Sequence, residues 1–358
     1  MGMNLDKEVI PTKANLKGND LSSFKIVHPE EFIYNPRTHG RRIGLGYNDG
    51  NGDFLISWNN AAFRVKDKNR ILPLYLYLNF LRSEWDREAC YQSWGSSTEV
   101  FSWKALCRMS IPVPSLEVQR EAVAAWQGLR KIKEENEGLV EPLLALCRSY
   151  LQECKKKYPM KEIGPMIDEE NLRNDNAMFD ETNVRGLSTS KEMIDTAANL
   201  EGVSLSNYKC VAPRRFAYVP DTSRRGDRMS LGFNTSDNTY LVSSISTVFS
   251  VDESKMNAEF LYLWILRPEF DRYARFNSWG SARETFTWSD MCRVKIPLPP
   301  VEVQQAIVDV YRCANEAKQI AAEADRLSRE ICPALVCWAA EGGGETEPLK
   351  SIAKNGRM

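Results

Sequence analysis

Several residue types are scarce in this chain. Its 358 residues hold two histidines, His28 and His39. The nine cysteines are scattered, odd in number and never spaced as C-x-x-C. A zinc finger or ribbon is therefore excluded, and reduced thiols are the expected state. No apolar run approaches the roughly 18 residues of a membrane span. The opening MGMNLDKEV has no signal-peptide core, and Asp6 stands where a myristoylation motif has Ser or Thr. A soluble cytoplasmic protein with no membrane partner is expected. Net charge is also nearly absent, at −1. This excludes nucleic-acid binding by bulk charge and leaves only a local basic face. No Gly-rich cofactor loop and no P-loop follows a strand-like run.

What the chain has is a repetition. SWGSSTEVFSWKALCRMSIPVPSLEVQ begins at Ser93, and SWGSARETFTWSDMCRVKIPLPPVEVQ begins at Ser278. From Ser93–Val123 against Ser278–Val308, 16 of 31 positions are identical without a gap. ANLKGNDLSSFKIVHPEEFIYNP (14–36) matches ANLEGVSLSNYKCVAPRRFAYVP (198–220). LYLYLNFLRSEWDREA (74–89) matches EFLYLWILRPEFDRYA (259–274). A period near 185 is too long for a solenoid repeat and signifies a duplicated domain.

Each copy reads in the same order. Short β-like runs (FKIV, FLISW and AAFRV; YKCV, TYLVSSI and TVFSV) are separated by Gly, Asn, Asp and Pro hairpin signals. An amphipathic helix, the SWGS loop and a Trp-bearing strand or turn follow. The I-P-x-P segment marks a boundary, because its prolines continue neither a regular strand nor a helix. After each boundary, apolar residues recur every three or four positions. They are Val118, Ala122, Ala125, Trp126, Leu129, Ile132 and Leu139, then Val303, Ile307, Val310, Tyr311, Ala314, Ala317, Ile320, Ala321, Ala324 and Leu327. The spacing predicts two helices of about 40 residues, each about 60 Å long. Pro142 and Pro333 mark a kink in each. Two such helices pack most simply as an antiparallel, coiled-coil-like spacer.

The ordered set is Gly95-Ser96, Ile111-Pro112-Val113-Pro114 and Glu117-Val118-Gln119, repeated as Gly280-Ser281, Ile296-Pro297-Leu298-Pro299 and Glu302-Val303-Gln304. With a long helix after each copy, it resembles the specificity (S, HsdS) subunit of type I restriction–modification systems over almost the whole chain. The resemblance implies an α+β, pseudo-twofold duplicated fold. A first target-recognition domain (1–115) precedes a spacer helix (116–157), a second recognition domain (158–300), a second helix (301–340) and a tail (341–358). Each domain would read one half of a split site in double-stranded DNA, with the two long helices separating them. The implied partners are two methyltransferase subunits, which bind S-adenosylmethionine and methylate adenine, and further motor–nuclease subunits. The chain itself would hold no cofactor or metal and would not be an enzyme.

The basic residues agree with that reading. NPRTHGRR (35–42) and RRFAYVPDTSRRGDR (214–228) occupy equivalent loop-like positions. They supply Arg37, His39, Arg41 and Arg42, then Arg214, Arg215, Arg224, Arg225 and Arg228 as candidate DNA contacts. Ser96, Ser97, Ser281 and Arg283 of the SWGS loops could hold a phosphate; the alternative is a packing turn around a buried Trp. Lys7 and Lys191 align and are further candidates, with surface lysines as the alternative. The two copies differ most in these loops, which predicts two different half-sites. Catalysis has little support. Tyr34-Asn35-Pro36-Arg37 lacks the second proline and the aromatic of the amino-methyltransferase Asn-Pro-Pro motif, and Glu99 and Glu284 are single carboxylates in separate copies. The competing class is a duplicated β-domain that binds glycans or peptides. Finally, Pro348-Leu349-Lys350-Ser351-Ile352 echoes Pro159-Met160-Lys161-Glu162-Ile163. The tail is therefore expected to return to the first domain, beside Met3–Val9.

Overall fold

The computed structural model describes residues 1–12, 14–15, 17–18, 20–38, 42–95, 99–222, 228–281, 283–341 and 345–356, apart from the side chains at 332–333 and 337–341. The chain forms two compact units. Unit 1 is Met1–Glu137 with Lys318–Met358, and unit 2 is Gly138–Ala317. The helices are α1 (Pro73–Phe80), α2 (Ser83–Tyr91), α3 (Trp103–Arg108), α4 (Leu116–Lys157), α5 (Ala258–Ile265), α6 (Pro268–Phe276), α7 (Trp288–Cys292), α8 (Val301–Glu341) and α9 (Leu349–Ile352). The mixed helix-and-sheet class expected from the sequence is present.

Both units use one plan. In unit 1 a four-stranded antiparallel sheet runs Ala353–Asn355, Ala61–Val65, Phe32–Tyr34, Leu45–Tyr47. In unit 2 the order is Ile167–Glu170, Thr247–Val251, Phe216–Tyr218, Leu231–Phe233. Register places Phe32 opposite Phe63, with rings stacked at 4.9 Å, and Phe216 opposite Phe249, stacked at 4.8 Å. These rings lie in the two cores, which α1–α2 and α5–α6 complete. Burying such rings removes a large apolar area from water in each unit and stabilises it.

Three local readings are corrected. The single amphipathic helix is two, broken at Arg82 and Arg267, with Pro268 in the first turn of α6. The Trp-bearing segment is a short helix in both copies. Ser102 caps α3 by accepting from Ala105 N, and Thr287 with Asp290 forms a capping box on α7. The I-P-x-P boundary is itself a strand: Ser110–Val113 pairs with Glu345–Pro348, and Lys295–Pro297 with Met160–Glu162. Each is a two-stranded edge, where a missing proline N–H is tolerated.

The tail is therefore part of unit 1. Glu345–Pro348, α9 and Ala353–Asn355 do there what Met160–Glu162 and Ile167–Glu170 do in unit 2. Its position differs from the expected one beside Met3–Val9, because the open main-chain edges lie on Ser110–Val113 and Ala61–Val65.

Each unit also holds a portion of α4 against a portion of α8. In unit 1, Ala122, Val123 and Trp126 of α4 and Val336 of α8 join the core, and Lys133 Nζ meets Asp325 at 2.8 Å. Residue numbers run in opposite directions, so these portions are antiparallel. In unit 2, Leu151 and Cys154 of α4 share the core with Ile307 and Val308 of α8. Pro142 lies inside α4 without ending it. The motif glutamines anchor the helix starts. Gln119 is fully buried; its Oε1 accepts from Leu72 N at 2.9 Å, and its Nε2 donates to Arg70 O and Pro114 O. Gln304 does the same with Asn257 N, Lys255 O and Pro299 O. Among the described residues no helix is long and apolar enough to cross a membrane.

Candidate nucleic-acid interface

The Gly-Ser loops are framed identically in the two units. After α2, Ser93 Oγ donates to Ala89 O, and Ser278 Oγ donates to Ala274 O after α6. Trp94 and Val100 then exchange both main-chain hydrogen bonds, at 3.3 and 3.0 Å. On the other side of Val100, Phe101 N donates to Pro36 O and Thr38 N to Glu99 O, which sets Arg37 opposite Val100. In unit 2, Trp279 pairs with Thr285, and Thr285 lies opposite Asp221. Gly280 closes the second loop at φ +150°, where an added Cβ would stand 1.9 Å from Arg283 O. Only glycine fits there. The alternative of a turn around a buried Trp is overturned: Trp94 is 74% and Trp279 70% exposed.

Lys7 and Lys191 are corrected as DNA contacts. Each is buried at positive φ and donates to a main-chain carbonyl, Ile43 O at 2.7 Å and Met229 O at 2.8 Å. Each also pairs with an aspartate of the next helix pair, Asp86 or Asp271. Those carboxylates accept from Ile43 N and Met229 N as well. Burial lowers both lysine pKa values, against the opposing pull of the aspartates. An ammonium so enclosed does not reach a phosphate. It ties the base of the Arg-rich loop to α2 or α6.

The remaining candidates divide. Arg37, Arg42, Arg228, Ser281 and Arg283 are exposed, Arg42 with Asp6 at 3.5 Å. Arg214 is held by Glu253 and Glu259, and Arg215 by Glu170, so their charge is already balanced. Burial pushes the Glu259 carboxyl up, but Arg312 and Arg214 together hold it below its ordinary value. His39, Arg41, Ser96, Ser97, Arg224 and Arg225 lie outside the described residues. The structure thus places Arg37 next to the Gly-Ser loop of its own unit, and it does not gather the candidates into one cluster. Among the described residues no group of three His, Cys, Asp or Glu could hold a metal. Sequence reasoning missed the exposed aromatics of this edge; the Ser-Trp-Gly-Ser spacing is identical in the two copies but does not distinguish a surface tryptophan from a core one.

Residues 232–311 match the family described as Type I restriction modification DNA specificity domain. That segment is thus similar to a type I DNA specificity domain. The resemblance read from the sequence therefore holds, and DNA sequence recognition in a type I system is the function of that family. The matched specificity segment includes Phe276, Trp279, Thr285 and the start of α8. The S subunit of a type I restriction–modification system from M. genitalium has the same fold, with TM-score 0.55, 11% identity, and coverage of 87% of this chain and 84% of that one. The HsdS subunit from Thermoanaerobacter tengcongensis is 17% identical, over 95% of this chain and 88% of that one, with TM-score 0.43. No curated protein matches the chain in sequence.

Proposed function

We propose that this chain is the non-catalytic subunit that reads a bipartite site in double-stranded DNA, one half-site per unit, and directs adenine methyltransferase subunits to it. The observation that carries the proposal is the duplication. Unit 2, which contains the specificity segment, has a counterpart in unit 1 strand for strand, down to the Phe32–Phe63 and Phe216–Phe249 pairs. Two alike readers on one chain suit two short sequences separated by unread base pairs, the geometry that dimeric DNA binders reach with two chains. The differing loop residues, Arg37 against Asp221 and Thr98 against Arg283, give the readers different targets.

The long helices offer surfaces for two methyltransferase subunits. Leu139, Leu146 and Tyr150 are 51%, 42% and 46% exposed in the unit 2 portion of α4, and Ile320 and Ile331 are 42% and 44% exposed in the unit 1 portion of α8. S-adenosylmethionine binds those partners, and a motor–nuclease subunit is a further member of the complex. The site of action is the cytoplasm, where the DNA and partners are. With net charge −1 the lone chain supplies few phosphate contacts, and phosphate neutralisation dominates affinity. Gel-shift titration tests this. The chain alone binds weakly, and the complex with the methyltransferase binds tightly and specifically. Nanomolar specific binding by the lone chain at physiological salt contradicts it.

A further inference from the structure

Directly opposite residues of an antiparallel pair point to the same face. Arg37, Val100 and Trp94 are consecutive across such pairs, so their side chains form one row. All three are exposed, Val100 at 40% and Trp94 at 74%. Asp221, Thr285 and Trp279 form the matching row in unit 2, with Trp279 70% exposed. A second aromatic precedes each tryptophan by three residues. Tyr91 and Phe276 end α2 and α6, and each is 78% exposed. Tryptophan is ordinarily a highly buried residue. Two exposed aromatics at the same place in both copies are not accounted for by packing, since the cores are complete without them.

We propose that these rows are the DNA-facing edges of the two units, with Trp94 and Trp279 laid against the sugar–base edge of duplex DNA. The inference rests on the DNA-reading function above and names the residues that carry it. Three observations favour DNA as the occupant. The row in unit 1 contains Arg37, whose guanidinium can pair with guanine O6 and N7. The exposed cations Arg42 in unit 1, and Arg228 and Arg283 in unit 2, suit flanking phosphates. The matched DNA specificity segment contains Phe276, Trp279 and Thr285. An apolar aromatic contact supplies affinity without charge, which fits a chain with net charge −1. The tryptophan is the common anchor. Arg37 and Asp221 at the far end of each row make the two edges chemically different, a donor in one and an acceptor in the other.

The test uses the full chain co-expressed with its methyltransferase, and an oligoduplex bearing the site identified by methylome sequencing. Wild type, W94A, W279A and the conservative W94F and W279F are compared by affinity at several salt concentrations. Each alanine variant weakens binding by about five- to hundredfold, the size of a lost base–aromatic contact. The dependence of affinity on salt stays unchanged, because no phosphate contact is removed. The phenylalanine variants recover most of the loss. Melting temperatures stay at wild type, since the rings are exposed. Alanine variants that bind within twofold of wild type overturn the inference while leaving the DNA-reading function intact. Variants that lose the methyltransferase from the complex overturn it in favour of a protein-docking face. A wild-type complex that shows no specific binding overturns the DNA-reading function itself, and this inference with it.

Discussion

Replacing Gln119 by Leu tests the most explicit structural claim about the helix starts. The side chain is fully buried and makes three hydrogen bonds, all to main chain: Leu72 N at 2.9 Å, Arg70 O at 3.0 Å and Pro114 O at 2.8 Å. Leucine fills similar volume and makes none of them. At about 1 kcal/mol net per bond the variant loses about 3 kcal/mol. Leu72 is the N-cap of α1 and has no side chain able to cap it, so the loss falls on that helix. Gln304→Leu provides the control. Its bond to Lys255 O is long, at 3.4 Å, and Asn257 caps α5 with its own side chain. That variant loses less, about 2 kcal/mol on the same scale. Hydrogen exchange on the full chain reads the two units separately. Gln119→Leu lowers protection in α1 and at the start of α4. A loss below about 1 kcal/mol, or a larger loss for Gln304→Leu, refutes the reasoning.

Lys191→Met removes one member of a buried pair and leaves Asp271, among the described residues, with Met229 N; unit 2 loses about 3 kcal/mol by urea titration, and Asp271→Asn added to it restores part of the loss. The Glu259 carboxylate is held below its ordinary value of 4.5 by Arg312 and Arg214 against the cost of burial. Its stabilisation is thus fully present above the unfolded value and lost as pH falls through the lower folded value. Protection of α5 therefore drops in acid, and Glu259→Gln flattens that pH dependence. Deleting 345–358 removes two strands of unit 1; exchange rises in unit 1 and stays unchanged in unit 2, whereas an unchanged pattern throughout means the tail contributes no stability.

Much of the fold was legible because duplication shows every signal twice. The strand around Phe63 and the helix after Pro114 were visible as runs and periodicity in both copies, whereas the strand Phe32–Tyr34 and its counterpart Phe216–Tyr218 were not among the runs. The apolar spacing overreached in one respect: Ile132 and Leu139 fit the stripe yet are 42% and 51% exposed. Periodicity identifies a face and does not say where its covering ends. Lys7 and Lys191 were misread because a lysine after a turn is ordinarily a surface residue. The corrective signal was Asp86 and Asp271, acids matched in both copies within EWDRE and EFDRY. The echo of PMKEI in PLKSI revealed that the tail returns to unit 1, but pairing partners depend on which edges tertiary packing leaves open. The exposure of Trp94 and Trp279 was not legible at all, because a tryptophan beside Gly-Ser serves equally well as a core residue or a surface anchor.

The central claim is that each unit reads its own half-site. The most direct test exchanges residues 158–300, which contain all the strands of unit 2, for the equivalent region of a related specificity subunit. The chimera is expressed with the native methyltransferase, and genomic methylation is mapped. The account predicts that one half of the methylated site changes to that of the donor while the other half stays as it was. A site in which both halves change, or neither, contradicts it.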